Sequence, residues 1–97
     1  MAFYVYIIRS DKDGSYYKGF SENPFERLVQ HNAGWSHYTS GKCPWTLIYI
    51  EDFIDKSEAL KREKALKKFS HFQIERFIIF IKNKLPVSER NPNESRD

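Results

Sequence analysis

The chain has 97 residues, of which 40% are hydrophobic and 30% are charged, so it suits one compact domain and leaves no room for a second. Its apolar runs are far shorter than the ~20 residues of a membrane span, and its single cysteine excludes an internal disulfide. The formal net charge of +3 favours an anionic partner. Because the first residues also lack the basic start and the cleavage site of a secretory signal, we expect a cytoplasmic protein without a membrane partner.

The first two predicted elements form a β-hairpin. Phe3 to Arg9 is rich in β-branched and aromatic residues and is apolar on both alternating faces, as in a central strand. If the turn is Asp11 to Gly14, Tyr6 lies opposite Gly19 and shares a face with Tyr17, one diagonal step away. A turn of odd length would send the two tyrosines to opposite faces.

A helix, a loop and a third strand follow the hairpin. Asn23 can cap a helix that begins at Pro24 and ends near Ala33, just before a glycine. Residues 35–45 lack any period and contain glycine and proline, so they are predicted to form a loop. The apolar and aromatic residues 46–53 then predict the third strand.

Two more helices complete the predicted fold. Capping patterns that begin at Asp55 and Ser70 mark their starts, and Pro86 ends the second helix. The element order is therefore ββαβαα, with residues 1–85 in one folded domain. Residues 86–97 are polar and are predicted to form a disordered tail.

Basic residues are concentrated in the first of these two helices. Between positions 56 and 68 six basic residues stand against two acidic ones, and the basic ones are Lys56, Lys61, Arg62, Lys64, Lys67 and Lys68. This basic stripe is a candidate phosphate-binding face. A solvated helix surface would have the same composition.

Five side chains in the sequence are candidates for chemistry. Arg27 and His31 lie four apart on one helix face, where they can hold a phosphate and move a proton, or simply compensate the helix dipole. Glu63 is an acid among basic residues and either balances their charge or holds a metal ion. Tyr6 and Tyr17 would by default be half-buried aromatic residues of the sheet.

Four aromatic residues flank the predicted loop, namely Trp35, His37, Tyr38 and Trp45. Aromatic side chains in such a place can stack on unpaired bases. For the two tryptophans, packing within the protein is the simpler explanation.

Several motifs, taken together and in order, resemble the GIY-YIG nuclease family. They are Tyr4-Val5-Tyr6, Tyr17-Lys18-Gly19, Arg27-x-x-x-His31, Tyr38-Thr39 and Arg62-Glu63-Lys64. The similarity covers roughly residues 3 to 83 and is to the small stand-alone members. It implies an α+β fold with a small three-stranded antiparallel sheet flanked by helices. It also implies hydrolysis of phosphodiester bonds with one divalent metal ion, Mg²⁺ or Mn²⁺.

The resemblance gives roles to the same five residues. Tyr6 matches the tyrosine that ends the first motif, and Tyr17 matches the tyrosine that opens the second. Arg27 and His31 match the arginine and histidine of the helix, and Glu63 matches the metal-binding glutamate. Glu63 would hold the metal ion through one carboxylate, and Arg27 would add a charged donor to the same phosphate. We expect all five side chains to converge on one open cleft at the sheet.

The identity of the general base stays open among three of these residues. A free tyrosine with a pKa of ~10 is a poor base at neutral pH, so Tyr6 or Tyr17 would need nearby cations that favour the phenolate. His31 could take the proton instead, or relay it.

The sequence departs from the family pattern in two motifs. The first reads Tyr-Val-Tyr, which loses a glycine but keeps the tyrosine, and the second places Lys18 where an apolar residue is usual. Neither change removes a catalytic group. Asn83 is the one asparagine of the last predicted helix, and it matches the family's late asparagine too poorly to carry a role.

We therefore expect a metal-dependent endonuclease that acts on DNA rather than RNA, in repair or recombination. The residues expected to contact nucleic acid are Lys18, Lys61, Arg62, Lys64, Lys67 and Lys68. The alternative is a non-catalytic nucleic-acid-binding module that uses the basic stripe, although such a module would not need all five site residues. A protein-binding domain is a further alternative, for which the sequence offers no clear apolar patch.

Overall fold

The computed structural model describes residues 2–79 and 83–85. The elements in chain order are β1 (Phe3–Ser10), β2 (Tyr16–Ser21), α1 (Pro24–Asn32), α2 (His37–Ser40), β3 (Trp45–Phe53), α3 (Lys56–Leu66) and α4 (His71–Phe77). The strands form a sheet in the order β2-β1-β3, and both pairs of neighbours are antiparallel. The predicted α+β fold with a small three-stranded antiparallel sheet is therefore confirmed. None of the described helices is long and apolar enough to cross a membrane.

The hairpin of β1 and β2 has the register that a four-residue turn predicts. The Ser10 amide donates to the Ser15 carbonyl at 2.8 Å and closes the turn. Tyr6 is paired with Gly19, and Tyr17 lies two positions before that glycine in the neighbouring strand. Since strand side chains alternate with a period of two, Tyr6 and Tyr17 share a face.

Helices cover both faces of the sheet. α3 and α4 pack on one face, and the buried side chains there are Val5, Ile7, Ile48, Tyr49, Ala59, Leu66, Ile74 and Ile78. α1 and α2 lie over the opposite face, where the buried core side chains are Tyr6, Ile8, Trp45, Leu47, Ile50 and Leu85. Neighbouring residues of β1 therefore contribute to opposite cores, as its apolar character on both faces predicts.

The prediction of a loop over residues 35–45 was wrong in one respect, because this segment contains α2. The Ser40 amide donates to the Ser36 carbonyl at 2.9 Å and closes a single helical turn. One turn is too short to show a 3.6-residue period, so the pattern of the sequence does not reveal it. The observed order of elements is ββααβαα.

The last helix is also shorter than predicted, since α4 ends at Phe77 and not at Pro86. Residues 83–85 lie beside β3, where the Lys84 amide donates to the Ile50 carbonyl at 2.8 Å. The predicted tail of residues 86–97 lies outside the described residues.

Asn83 explains why this segment lies against the sheet. It is buried, and its Oδ1 accepts from the Ile50 amide at 3.0 Å. Its Nδ2 donates to the carbonyls of Ile48 at 3.1 Å and Ile78 at 2.7 Å. Asn83 therefore belongs to no helix and joins the chain after α4 to the outer edge of β3.

Candidate active site

Tyr6 lies at the centre of the sheet and its ring extends across β2. The side chain is only 1% exposed and covers Gly19 on the neighbouring strand. A Cβ atom at position 19 would come closer than 3.0 Å to ring and hydroxyl atoms of Tyr6, so glycine is what leaves room for the phenol. Because β2 is an edge strand, the Tyr6 hydroxyl is placed near the free edge of the sheet.

His31 is fully buried and connects Tyr6 to α2. Its Nε2 lies 3.0 Å from the Tyr6 hydroxyl, and its Nδ1 lies 2.9 Å from the Thr39 hydroxyl. α1 begins as predicted, with the Asn23 side chain accepting from the Glu26 amide, so its last turn carries His31 over the sheet. We call Tyr6, His31 and Thr39 the polar chain.

Arg27 supplies positive charge next to the polar chain. One guanidinium nitrogen donates to the Gln30 side-chain oxygen at 2.6 Å, and no ion pair of Arg27 forms within the described residues. Burial and then the Arg27 charge lower the pKa of His31 to about 4, so this imidazole is neutral at neutral pH. Burial, aided by Tyr17 and opposed by Arg27, raises the pKa of Tyr6 to about 12. Tyr6 is therefore a protonated phenol beside a neutral imidazole.

Tyr17 connects the polar chain to a groove at the free edge of β2. Its ring centroid lies 5.0 Å from that of His31 and 6.5 Å from that of Tyr6. The groove has a volume of about 280 Å³, and we call it the β2 groove; it is lined by Tyr16, Tyr17, Lys18, Tyr38 and Lys67. Two ammonium groups and three phenol rings can accommodate a chain of phosphates with attached bases.

Glu63 approaches the site from the other side of the sheet. α3 packs on the face opposite Tyr6, yet the Glu63 charge raises the pKa of the Tyr6 phenol and so acts within electrostatic range of it. The Glu63 carboxylate is 19% exposed and pairs with the Lys67 ammonium at 3.2 Å. Because Lys67 lines the β2 groove, its ion pair places the Glu63 carboxylate beside that groove. The expectation that all five side chains converge on one open cleft was wrong in this respect, since α3 carries Glu63 on the face opposite Tyr6, and Tyr6 and His31 are buried.

The donors at this edge suit a hard divalent ion with few protein ligands. Across residues 2–79 and 83–85, no group of three or more His, Cys, Asp or Glu side chains is placed to hold a metal ion. Glu63 alone would supply one carboxylate, and Mg²⁺ is commonly held by one or two carboxylates while it keeps several waters. This donor set fits Mg²⁺ or Mn²⁺ and does not fit zinc, which takes three or four protein ligands.

The residues predicted to contact nucleic acid do not lie on one surface. Lys18 and Lys67 line the β2 groove. Lys61 and Arg62 instead lie on the other flank of α3. Each pairs with an acidic residue there, and the partner of Arg62 is the buried Glu51 of β3 at 3.2 Å. Successive helix positions are rotated by ~100°, which turns positions 61 and 62 away from position 67. The remaining two are exposed, namely Lys64 and Lys68.

The aromatic residues around α2 have two different environments. Trp45 is buried, and its indole N–H donates to the Thr39 carbonyl at 3.0 Å. Trp35 and Tyr38 are 72% and 65% exposed, and the Lys42 ammonium lies 5.9 Å from the Tyr38 ring centroid. Trp45 is thus a packing residue, whereas Trp35 and Tyr38 are free to stack on a base.

Sequence reasoning gave no role to three residues of the site. The hairpin register places Gly19 opposite Tyr6, but the close contact depends on the direction of the tyrosine ring. Thr39 stands in a motif beside Tyr38, yet it becomes the partner of His31 only through α2. Gln30 lies three positions after Arg27 on one helix face, and this spacing is a signal that predicts their contact.

Residues 2–75 match the family model described as the GIY-YIG catalytic domain. This match spans most of the chain, and the protein belongs to the GIY-YIG family. The fold, the Tyr6 and Tyr17 pair at the sheet and Glu63 on α3 are the features that the resemblance of the sequence implied. A catalytic domain of this family implies a nucleic-acid substrate.

Small single-domain proteins are similar to this chain over most of their length. A UPF0213 protein of Halobacterium salinarum is 42% identical over 73 residues, which are 74% of this chain and 94% of the relative. A UPF0213 protein of Staphylococcus saprophyticus is 46% identical over 68 residues, which are 69% of this chain and 82% of the relative. The solution NMR structure of a UPF0213 protein from Bacillus halodurans has a TM-score of 0.55 and 32% identity, and the match covers 87% of this chain and 89% of that one.

Proposed function

We propose that this protein is a metal-dependent endonuclease that hydrolyses phosphodiester bonds in DNA. The observation that supports this most strongly is the 3.0 Å hydrogen bond between the Tyr6 hydroxyl and Nε2 of the buried His31, where burial raises the pKa of Tyr6 and lowers that of His31. Arg27 stands beside them with its charge directed to an uncharged partner, Gln30. A surface that only binds nucleic acid does not need a buried proton acceptor behind a phenol. A role in DNA repair or recombination, in the cytoplasm, is part of this proposal.

In this mechanism Tyr6 touches the attacking water and His31 takes the proton. As the water oxygen bonds to phosphorus, one water proton passes to the Tyr6 oxygen and the Tyr6 proton passes to Nε2 of His31, 3.0 Å away. The bond from phosphorus to the leaving oxygen breaks, and His31 becomes an imidazolium. Arg27 stabilises the negative charge that develops on the phosphate. Tyr6 need not be a phenolate beforehand, which agrees with its pKa of about 12.

Glu63 would hold a Mg²⁺ or Mn²⁺ ion at the free edge of β2. When bound, such an ion supplies charge stabilisation for the scissile phosphate and the leaving oxygen. Lys67 pairs with the same carboxylate and lines the β2 groove. Once Lys67 releases Glu63, it is placed to contact a phosphate in that groove.

A non-catalytic nucleic-acid-binding module is the second candidate. The pair of Lys67 and Glu63 favours it, because a neutralised carboxylate leaves a positive groove that needs no metal ion. Such a module would bind nucleic acid equally well with EDTA and with Mg²⁺.

Cleavage assays separate the two candidates. The purified protein is incubated with labelled duplex, branched and single-stranded DNA and with matching RNAs, in Mg²⁺, Mn²⁺ or EDTA. We expect cleavage of at least one DNA with either metal ion and none with EDTA. Cleavage of RNA without any cleavage of DNA would contradict the proposed substrate.

The carboxylate is tested with Glu63→Ala, and Glu58→Ala is the matched control on the other flank of α3. Metal-ion stabilisation is worth several kcal/mol, so Glu63→Ala should reduce cleavage by roughly 10³-fold or more. Metal-free binding should hold or tighten, because a negative charge near the phosphates is lost. Glu58→Ala should cleave like the wild type. If wild type and Glu63→Ala bind nucleic acid equally and neither cuts any substrate, the protein is a non-catalytic binding module and the proposal of an enzyme is wrong.

A further inference from the structure

The hydrogen bonds of the polar chain leave His31 with one hydroxyl oxygen at each ring nitrogen. Nε2 faces Tyr6 at 3.0 Å and Nδ1 faces Thr39 at 2.9 Å. A neutral imidazole donates from one nitrogen and accepts at the other, so the two hydroxyls have opposite roles. Which nitrogen is bare decides whether Tyr6 can give its proton to His31.

The Thr39 end of the polar chain meets a group that only accepts. The Thr39 hydroxyl lies 3.5 Å from the Ser36 carbonyl, which has no proton to give. If the hydroxyl proton points to Ser36, the Thr39 oxygen is left to accept from Nδ1–H of His31. Thr39 is itself fully buried, and its carbonyl accepts from the Trp45 indole at 3.0 Å, which holds the residue in place.

The Tyr6 end meets a group that only donates. The Arg27 charge acts on the Tyr6 oxygen and lowers the pKa that burial raises. A guanidinium has no acceptor, so the Tyr6 proton has to go elsewhere. Nε2 of His31 is the acceptor within hydrogen-bond distance. The Ser36 carbonyl at one end of the polar chain and the Arg27 charge at the other thus favour the same tautomer of His31.

We propose that Thr39 is a positioning residue that holds His31 in the Nδ1–H tautomer, so that the bare Nε2 accepts the Tyr6 proton. The catalytic consequence rests on the proposed function, whereas the tautomer is a property of the free protein. Without the Thr39 hydroxyl, Nδ1–H would be a buried donor with no acceptor, which is unfavourable. His31 would then turn to the Nε2–H tautomer, donate to Tyr6 and lose its ability to receive the proton.

The tautomer is read directly by NMR. Long-range ¹H–¹⁵N correlation spectra of the ¹⁵N-labelled protein at neutral pH, without nucleic acid or metal, show which ring nitrogen of each histidine is protonated. His37 and His71 are exposed, and the variants His37→Gln and His71→Gln assign their signals. We expect His31 to have a protonated Nδ1 and a bare Nε2. A protonated Nε2, or an even mixture of tautomers, would overturn the proposal.

Substitutions at position 39 separate the hydroxyl from the shape of the side chain. Thr39→Val should move His31 to the Nε2–H tautomer, and Thr39→Ser should keep Nδ1–H. Thr46→Val is the matched control, since the Thr46 hydroxyl bonds to Asp11 and not to the polar chain. A folded Thr39→Val protein with the wild-type tautomer would contradict the role of Thr39. If Thr39→Val does not fold, Thr39→Ala gives the same test, because it removes the hydroxyl with a smaller side chain.

Kinetics give a second readout. General acid–base catalysis contributes roughly 10²- to 10⁴-fold, so Thr39→Val should lower kcat by about 10- to 100-fold with little change in KM, and Thr39→Ser should restore it. A change confined to KM would contradict a positioning role. Because the spectra need no substrate, a wild type that cuts nothing refutes the proposed function and leaves the tautomer result standing. An Nε2–H tautomer in an active enzyme refutes the role of Thr39 alone.

Discussion

The protein contains two buried tyrosine clusters, one on each face of the sheet. They differ in the charge of the group that is hydrogen-bonded to the tyrosine. On the α3 face, the Tyr49 hydroxyl donates to the Glu51 carboxylate, which also pairs with Arg62 at 3.2 Å. On the α1 face, Tyr6 is bonded to the neutral His31. We call the first set, Tyr49, Glu51 and Arg62, the ion-pair cluster.

The difference lies in what each tyrosine proton can do. Burial and the bond to Glu51 raise the pKa of Tyr49, so a negative partner holds that proton in place. The Tyr6 proton faces a neutral nitrogen, and no carboxylate of the described residues is bonded to the phenol to hold that proton in place. We therefore expect the ion-pair cluster to contribute to stability alone, whereas the proposed mechanism gives the polar chain a proton to transfer.

The largest expected effect comes from removing each tyrosine hydroxyl in turn. Both Tyr6→Phe and Tyr49→Phe delete one buried hydrogen bond, and each should lower the free energy of unfolding by about 1 to 3 kcal/mol. Tyr6→Phe should also lower kcat by roughly 10²- to 10⁴-fold, because the group that touches the attacking water is lost. Tyr49→Phe should cleave like the wild type. The measurements are denaturant melts and cleavage rates on the same preparations.

Equal losses of activity in Tyr6→Phe and Tyr49→Phe would contradict the distinction between the polar chain and the ion-pair cluster. The reduced rates would then follow from stability and not from proton transfer. Unchanged cleavage by Tyr6→Phe would leave Tyr17 as the tyrosine to test next.

Acid should destabilise the protein through His31. The pKa of His31 is about 4 in the fold and ~6.5 in an unfolded chain. Between these values the unfolded chain binds a proton that the native protein does not, so the free energy of unfolding falls as pH is lowered through this window. At 1.36 kcal/mol per pKa unit, the full loss is up to about 3 kcal/mol. Denaturant melts at a series of pH values measure it.

His31→Gln should flatten this pH dependence, while His37→Gln, at an exposed site, should keep it. Matching curves for the wild type and His31→Gln would mean that His31 is not buried in its neutral form. The proton path from Tyr6 would then lose its acceptor.

A methyl group at position 19 should displace the Tyr6 ring, although Gly19 is not itself part of the polar chain. The new Cβ would come closer than 3.0 Å to the Tyr6 ring, so Gly19→Ala should cost roughly 1 to 3 kcal/mol of stability and displace the phenol from His31. Cleavage should fall as well. Gly41→Ala is the matched control, because no atom lies within 4 Å of the Cβ it would add. A Gly19→Ala protein with wild-type stability and cleavage would show that the tyrosine ring does not need the space.

The parts of the fold that the sequence predicts are those with local causes. The hairpin register follows from a four-residue turn, and the start of α1 follows from capping by Asn23. The position of Asn83 depends on hydrogen bonds to β3, more than thirty residues away, and no local pattern encodes them. Residue spacing and family resemblance together point to the five candidate site residues, whose catalytic roles stay predictions.

Pairing across the fold also limits what a charge pattern can predict. Arg62 belongs to the basic stripe in sequence, but its guanidinium is held by Glu51 of β3. Composition counts charges and does not show which of them are already neutralised. The sequence gives no role to Gly19 or Thr39 for a related reason, since each acts through a side chain from another element.

The smallest expected effect distinguishes the lysines that line the β2 groove from Lys61 on the other flank of α3. Each phosphate contact adds about 0.9 to the slope of log K against log salt, so four to five contacts predict a slope of about −4 on duplex DNA. Lys18→Ala should reduce that slope by about 1, because Lys18 lines the β2 groove. Lys61→Ala removes the same charge, but Lys61 lies on the other flank of α3 and pairs with Glu58, so the slope should stay as in the wild type. Binding titrations at several salt concentrations measure both. An equal change in the two variants would mean that DNA covers both flanks of α3, and the division between a reactive face and a structural face would not extend to binding.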